Sequence, residues 1–208
     1  MSNNKLRARR HANPFSIKLP ESKVDFAQVF PVQQPIEVEI GPSGGRFFLE
    51  RARTNPNINL VGLEIRTQMV KHLQERIERF QLKNAAVFLA NANQALSAFF
   101  APGTLSRFYA FHPDPWIKNR HLKRRLFTAA FVEDIYQALT PGGEIFAQSD
   151  VKYLADEILE HLSAHKGLEN LAGEGFAKEN AVGIASETEL YWLERGDPVY
   201  YTHFKKRL

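Results

Sequence analysis

The sequence contains no cysteine, which excludes disulfides and thiolate metal sites; no metal is expected. No apolar run approaches the ~20 residues that a membrane span requires. The opening Met1–Asn13 is polar and basic, without the apolar stretch of a signal peptide. The expected compartment is therefore the cytoplasm, with no membrane partner. Internal repeats are absent, and no linker is long enough to separate two domains. The dinucleotide fingerprint GxGxxG is missing as well: after Gly41, its second and third glycine positions hold Ser43 and Arg46.

What is present suits one soluble domain. A chain of 208 residues supplies one sizeable core and little for a second, and 44% hydrophobic with 24% charged residues is ordinary globular chemistry. Residues 1–30 are expected to form a basic, partly flexible N-terminal extension and residues 31–208 a single domain. The net charge of +4 is modest, but its distribution is uneven. Lys5, Arg7, Arg9 and Arg10, then Lys118, Arg120, Lys123, Arg124 and Arg125, then Lys205, Lys206 and Arg207 account for twelve of the 27 basic residues. Such clusters read either as a nucleic-acid footprint or as solvated charge with a frayed tail.

Strand and helix patterns alternate along the chain. Ile36–Ile40 is β-rich and meets Gly41, Gly44 and Gly45, followed by a helical stretch from Arg46 to about Thr54. Leu60–Glu64 reads as a second strand, and Thr67–Leu82 carries apolar residues at helical spacing. Ala86–Leu89 and Arg107–Phe111 read as strands separated by the Asn91–Phe100 segment. Phe127 to Leu139 forms an amphipathic helix ended by Pro141-Gly142-Gly143. Glu144–Gln148 as strand, Tyr153–Leu162 as helix and Val199–Phe204 as a terminal strand complete the series, with Gly167–Ser186 the least regular stretch. Alternation of this kind predicts an α/β fold: a mainly parallel sheet with helices on both faces.

Ligands of such sheets bind beyond the carboxyl ends of the strands, so chemistry should follow each strand. After the first comes Glu39-Ile40-Gly41-Pro42-Ser43-Gly44-Gly45, whose glycines permit positive φ and close approach of a ligand. Glu64 ends the second strand; an acid there either accepts both hydroxyls of a ribose or is a surface acid near Arg66. Asn91-Ala92-Asn93 follows the third, where an amide either bonds an adenine edge or caps the next helix.

The fourth junction is Phe111-His-Pro-Asp-Pro-Trp-Ile-Lys118. A proline on each side of Asp114 restrains the backbone, because each fixes its own φ and biases the preceding residue toward extended geometry. Five cations then fall within the eight residues 118–125. A preorganised acid thus stands beside a polyanion-binding surface, and the four junctions together describe a nucleoside-binding crevice.

These residues, with Ser149-Asp150, Ser186–Glu189 and Arg195-Gly196-Asp-Pro-Val-Tyr200, resemble the bacterial tRNA (guanine-N7-)-methyltransferases over nearly the whole chain, including Arg9-Arg-His-Ala-Asn-Pro14. The resemblance implies a Rossmann-like class I methyltransferase fold with a seven-stranded sheet. It implies S-adenosylmethionine as methyl donor and tRNA as substrate, methylated at N7 of a guanine in the variable loop by a monomer or homodimer. Carried over by motif, Glu39, Gly41, Gly44, Gly45, Glu64, Asn91, Ala92 and Asp114 would line the donor site, with Asp114 catalytic. Lys118, Asp150, Ser186, Glu187, Thr188 and Glu189 would hold the substrate, and Asn119, Arg120, His121, Lys123, Arg124 and Arg125 would contact RNA. The sequence departs from the family pattern in places. Ser43 replaces a second glycine, His112 the usual phenylalanine, Asn91 a frequent aspartate, and Ser186 the usual threonine. The Asn-Ala-Asn wording is similar to the cyanobacterial and plastid-like branch. For Ser186–Glu189 the local alternative is a helix cap with acidic first-turn residues.

Two other classes compete. An NAD-dependent dehydrogenase would want the missing glycines and a substrate domain that this length hardly supplies. A non-catalytic RNA-binding module would keep the basic clusters without needing Glu39, Glu64 and Asp114 at three strand ends. Titration with S-adenosylmethionine and with NAD separates them.

Overall fold

A computed structural model of the chain describes residues 17, 24–115 and 125–208. Its centre is a seven-stranded sheet of order β3-β2-β1-β4-β5-β7-β6. β1 (Ile36–Ile40), β2 (Asn59–Glu64), β3 (Ala85–Leu89), β4 (Leu105–Phe111) and β5 (Leu139–Ser149) run parallel. β7 (Tyr200–Lys206) lies antiparallel between β5 and the short β6 (Leu168–Asn170).

Both faces are covered, because strand residues alternate in direction. Phe47 and Phe48 of α2 (Arg46–Thr54) and Val70 and Leu73 of α3 (Thr67–Arg79) pack on one side with Leu60 and Tyr109. Leu96 of α4 (Ala92–Phe99), Ile135 of α5 (Ala129–Ala138) and Ile158 of α6 (Lys152–Ala164) pack on the other with Val38 and Phe108. A short α1 (Phe26–Val29) sets Phe26 on Phe100, ring centroids 5.3 Å apart, and Phe30 is buried in the same cluster. Residues 24–30 therefore pack on the domain side of the boundary expected at residue 31; the basic residues Lys5 to Arg10 lie outside the described residues. Among the described residues no helix is long and apolar enough to cross a membrane.

Several boundaries differ from expectation for local reasons. α3 ends at Arg79 rather than Leu82, since Phe80 caps it and Gln81 turns left-handed at φ 54°. Leu139 begins β5 instead of ending a helix, and the register shift opposite Leu105/Arg107 makes Thr140-Pro141-Gly142-Gly143 a bulge within the strand. The irregular 167–186 stretch contains β6. The expected cap at Ser186 opens α7 (Glu187–Leu193).

Candidate active site

β1 aims two acids at the same face of the sheet with different outcomes. Glu37 is enclosed: Arg51 of α2 donates to its two oxygens at 2.8 and 2.7 Å, and the Tyr109 hydroxyl donates at 2.9 Å. Glu39, one strand period further on, is 4% exposed, and its Oε2 has no hydrogen-bond partner among the described residues. Burial, reinforced by the nearby Glu64 charge, holds the Glu39 carboxyl well above its ordinary range.

Glu39 borders the main cavity, whose volume is about 210 Å³. One water needs roughly 10–15 Å³ on this measure, so the space suits a molecule of many heavy atoms. A second cavity, between Phe146 and Asn180, is about 10 Å³ and holds one water at most. The large cavity lies across the carboxyl ends of β1 to β4, where a ligand of a parallel sheet belongs.

Each strand contributes a wall. After β1, Gly41 (φ 68°) and Ser43 (φ 51°) both adopt left-handed backbone, which explains why glycine suits the Ser43 position. Gly45 caps α2 at φ 80°, where a Cβ would meet Leu73 Cδ1 at 2.4 Å. Gly44 and Gly45 thus shape the turn from behind, while Gly41, Pro42 and Ser43 face the cavity.

At the end of β2, Glu64 is buried and fully engaged. Its Oε1 accepts from the backbone N–H and Nε of Arg66, both at 3.0 Å. Its Oε2 accepts from Arg66 Nη2 at 2.9 Å and Ser43 N–H at 3.2 Å. These contacts fill the four lone-pair positions of a carboxylate, so a diol binding there displaces the Arg66 guanidinium. The neighbourhood of Arg66 that the sequence suggested is real, yet both groups face the cavity. After β3, Asn91 fulfils the cap alternative. Its side chain accepts from Asn93 N–H and caps α4, while its Nδ2, buried beside the cavity, has no partner among the described residues. Ala92 lies on the same wall.

After β4 come His112, Pro113 and Asp114, all on the wall. His112 is buried and left-handed at φ 49°. Its Nδ1 lies 2.6 Å from Asp150 Oδ1, and its Nε2 lies 3.2 Å from Gln148 Nε2. A carboxylate accepts and an amide nitrogen donates, so the pattern selects the Nδ1–H tautomer. Asp150 stands behind this imidazole rather than on the wall. Ser186 Oγ at 3.2 Å and Glu189 Oε2 at 3.0 Å also lie within reach of the Gln148 amide nitrogen, whose two hydrogens are shared among the three acceptors.

Ser186, Glu187 and Thr188 close the far wall. Glu189 does not join them. It completes a capping box with Ser186 and accepts from Asn180 Nδ2 and the Tyr201 hydroxyl at 3.0 Å, buried behind the wall. The helix-cap alternative accounts for its pairing with Ser186, and the bonds to Gln148, Asn180 and Tyr201 go beyond a cap. Among the expected RNA-contacting residues, Arg125 pairs with Glu157 and donates to the Pro115 carbonyl. Lys118, Asn119, Arg120, His121, Lys123 and Arg124 lie outside the described residues. The sequence reading missed Arg66 as an occupant of Glu64, and the link from His112 through Gln148 to Ser186. The departure of His112 from the family phenylalanine was the available signal for the second. His161 and His165 stand four apart, a metal-like helical spacing, but His165 pairs with Glu133, and no metal-ligating cluster occurs among the described residues.

Comparison with known proteins agrees with this fold. A family model described as "Putative methyltransferase" matches residues 33–202. The tRNA (guanine-N(7)-)-methyltransferase of Nostoc sp. is 33% identical over 207 residues, covering 97% of this chain and 94% of that protein. The enzyme of the same name from Synechocystis sp. is 35% identical over 201 residues, covering 94% and 95%. Among solved structures, the 16S rRNA methyltransferase KamB superposes with TM-score 0.63 at 12% identity, over 90% of this chain and 96% of its own. The aminoglycoside resistance methyltransferase NpmB1 gives 0.60 at 14%, over 87% and 91%. At such identities the structural likeness concerns the fold.

Proposed function

The chain belongs to the tRNA (guanine-N7-)-methyltransferase family, and on that premise we propose that it methylates N7 of a guanine in the variable loop of tRNA. The observation that carries the reading is the convergence of Glu39, Glu64, Asn91 and Asp114, from four successive strand ends, on one cavity. Two of them bring buried polar atoms without a partner among the described residues, Glu39 Oε2 and Asn91 Nδ2, as a polar ligand requires. S-adenosylmethionine fits that set and supplies, when bound, an electrophilic methyl group on a sulfonium. Glu39 and Asn91 would hold its polar groups, Glu64 its ribose hydroxyls, and the Gly41–Ser43 backbone would approach it closely.

Guanine N7 carries a lone pair and no proton, so transfer needs alignment more than a general base. With the donor held, the N7 lone pair would take the methyl carbon as its bond to sulfur is given up, so that the positive charge would pass from the sulfonium to the base. There a fixed carboxylate at Asp114 stabilises it as it develops. Ser186–Thr188 on the far wall would meet the acceptor base, with Asp150 acting from behind through His112 and Lys118 expected there by motif. The expected setting is the cytoplasm, with a monomer or homodimer acting on tRNA.

Incubation with labelled donor and unmodified tRNA tests the reading: the product should be 7-methylguanosine at one variable-loop guanine, and absence of transfer to any tRNA would overturn it. Asp114→Asn keeps shape and removes charge. Single-turnover transfer should then slow by about 2–4 kcal/mol of barrier, with the melting temperature close to wild type.

A further inference from the structure

The basic run 118–125 contains no Phe, Tyr or Trp among its cations, but the fold brings such rings to its base from three other segments. Tyr153 opens α6 and is 42% exposed; its ring lies 5.5 Å from the Arg125 guanidinium, and its hydroxyl donates to the Pro115 carbonyl at 3.4 Å. Both flanks of segment 116–124 therefore meet at this tyrosine. Phe176 and Tyr200 lie next to the preceding residue, Lys152, and are half-buried with ring centroids 5.3 Å apart and planes inclined by 50°. The ammonium of Lys152, on the same α6 turn as Tyr153, lies 5.4 Å from one centroid and 5.6 Å from the other. The Lys152 side chain is 55% exposed and leans on Asp156.

The location is as specific as the composition. Tyr200 pairs with Ser149 across β5 and β7, so it stands one residue from Asp150 at the cavity end of the sheet. The chemistry of the partner follows from what the rings already hold. Lys152 already lies against Phe176 and Tyr200, so an incoming cation would meet like charge, while the exposed Tyr153 ring offers stacking surface. Rings that offer stacking surface, bordered by two cations, suit a flat base carrying a phosphate.

We propose that Lys152, Tyr153, Phe176 and Tyr200 form a subsite for an unpaired nucleotide flanking the methylated guanine. Its base stacks on the aromatic rings, and its phosphate meets Lys152, with the Glu157-paired Arg125 at the edge. The proposal rests on the tRNA reading above. It assigns affinity for that neighbour to side chains outside both the donor cavity and the basic run.

Tyr153→Leu and Phe176→Leu remove a π-face and keep apolar bulk. Each should raise the Kd for tRNA by roughly 5- to 100-fold without changing the slope of log affinity against log salt, because the net charge is unaltered. Lys152→Gln should instead make that slope shallower by about 0.7–0.9. Donor affinity should stay at the wild-type value. A 2-aminopurine placed at each nucleotide flanking the guanine should be quenched at one position on wild-type binding, and the quench should disappear in the leucine variants. Tyr153→Leu, on an exposed helix turn, keeps the test available should Phe176→Leu fail to fold. Leucine variants that bind tRNA like wild type, or that lose affinity only in step with melting temperature, overturn the subsite. A wild-type protein that quenches the probe but methylates no tRNA would overturn the function and leave the subsite standing.

Discussion

Glu37 and Glu39 share a strand, a face and a side-chain type, and differ only in what surrounds them. Arg51 and Tyr109 satisfy Glu37, whereas Glu39 keeps an oxygen without a partner among the described residues and, through burial and then the Glu64 charge, a raised carboxyl pKa. The folded protein thus retains a proton that the unfolded chain releases near 4.5. Between that value and the raised folded value the native state binds more protons, so stability falls as pH rises. A cationic methyl donor reverses the balance by favouring the ionised form. Calorimetric titrations with S-adenosylmethionine, run in buffers of different ionisation enthalpy within that window, should therefore show proton release on binding. The release should vanish in Glu39→Gln, and wild-type binding without any release would remove Glu39 from this linkage. Neighbouring side chains add a second condition at the same scale: the donor ribose and Arg66 compete for the same two oxygens of Glu64.

At the scale of elements, α7 shows how one carboxylate can organise several segments. Glu189 accepts from Ser186 N–H, Gln148, Asn180 and Tyr201, which belong to the cap, β5, the loop after β6 and β7. Replacing it by glutamine leaves buried donors without their anion, a loss of about 1–3 kcal/mol. Ser186→Ala, which removes one cap acceptor, should cost about 1 kcal/mol. Thermal melts should rank the two, with Glu189→Gln lower by several degrees; a Glu189→Gln protein melting with wild type would show that the network carries no stability. These contacts also mark where the sequence stopped being legible. β1 and α2 follow from a β-rich run, a glycine turn and an amphipathic stretch, and their observed ends coincide with those expected. The strand-end acids were legible for the same reason, since a parallel sheet places its ligands there. Glu189 was not, because its partners are up to 41 residues away in sequence. β6 escaped because a three-residue strand has no period of its own and exists through pairing with β7. The bulge at Thr140–Gly143 looked like a helix stop, since Pro-Gly-Gly carries the same local signal in both settings.

Across the whole molecule, the topology separates basic clusters that composition had grouped together. β7 runs antiparallel to β5, pairing Tyr200 with Ser149 at the cavity end and Lys205 with Glu144 at the other. Five residues of strand put these ends about 16 Å apart. Lys206 is further committed, donating to the carbonyls of Tyr136 and Leu139 at 2.7 and 2.8 Å. The C-terminal cluster therefore faces away from the cavity, and Arg125 is held by Glu157. Asp114 and Leu126, on either side of the run that holds Lys123 and Arg124, line the cavity, so tRNA bound where the chemistry is would be expected to meet that run and not Lys205 and Arg207. Replacing Lys123 and Arg124 by alanine should make the slope of log affinity against log salt shallower by about 1.4–1.8 units, roughly 0.7–0.9 for each phosphate that is no longer neutralised. Lys205→Gln with Arg207→Gln removes the same number of charges and the same net charge from the far edge. Its slope and Kd should match wild type, because exposed charges separated by more than a Debye length of about 8–10 Å are largely screened. Equal weakening in the two double variants would mean that tRNA is attracted by net charge, or wraps the sheet end to end, and would remove the cavity edge as the site of the footprint.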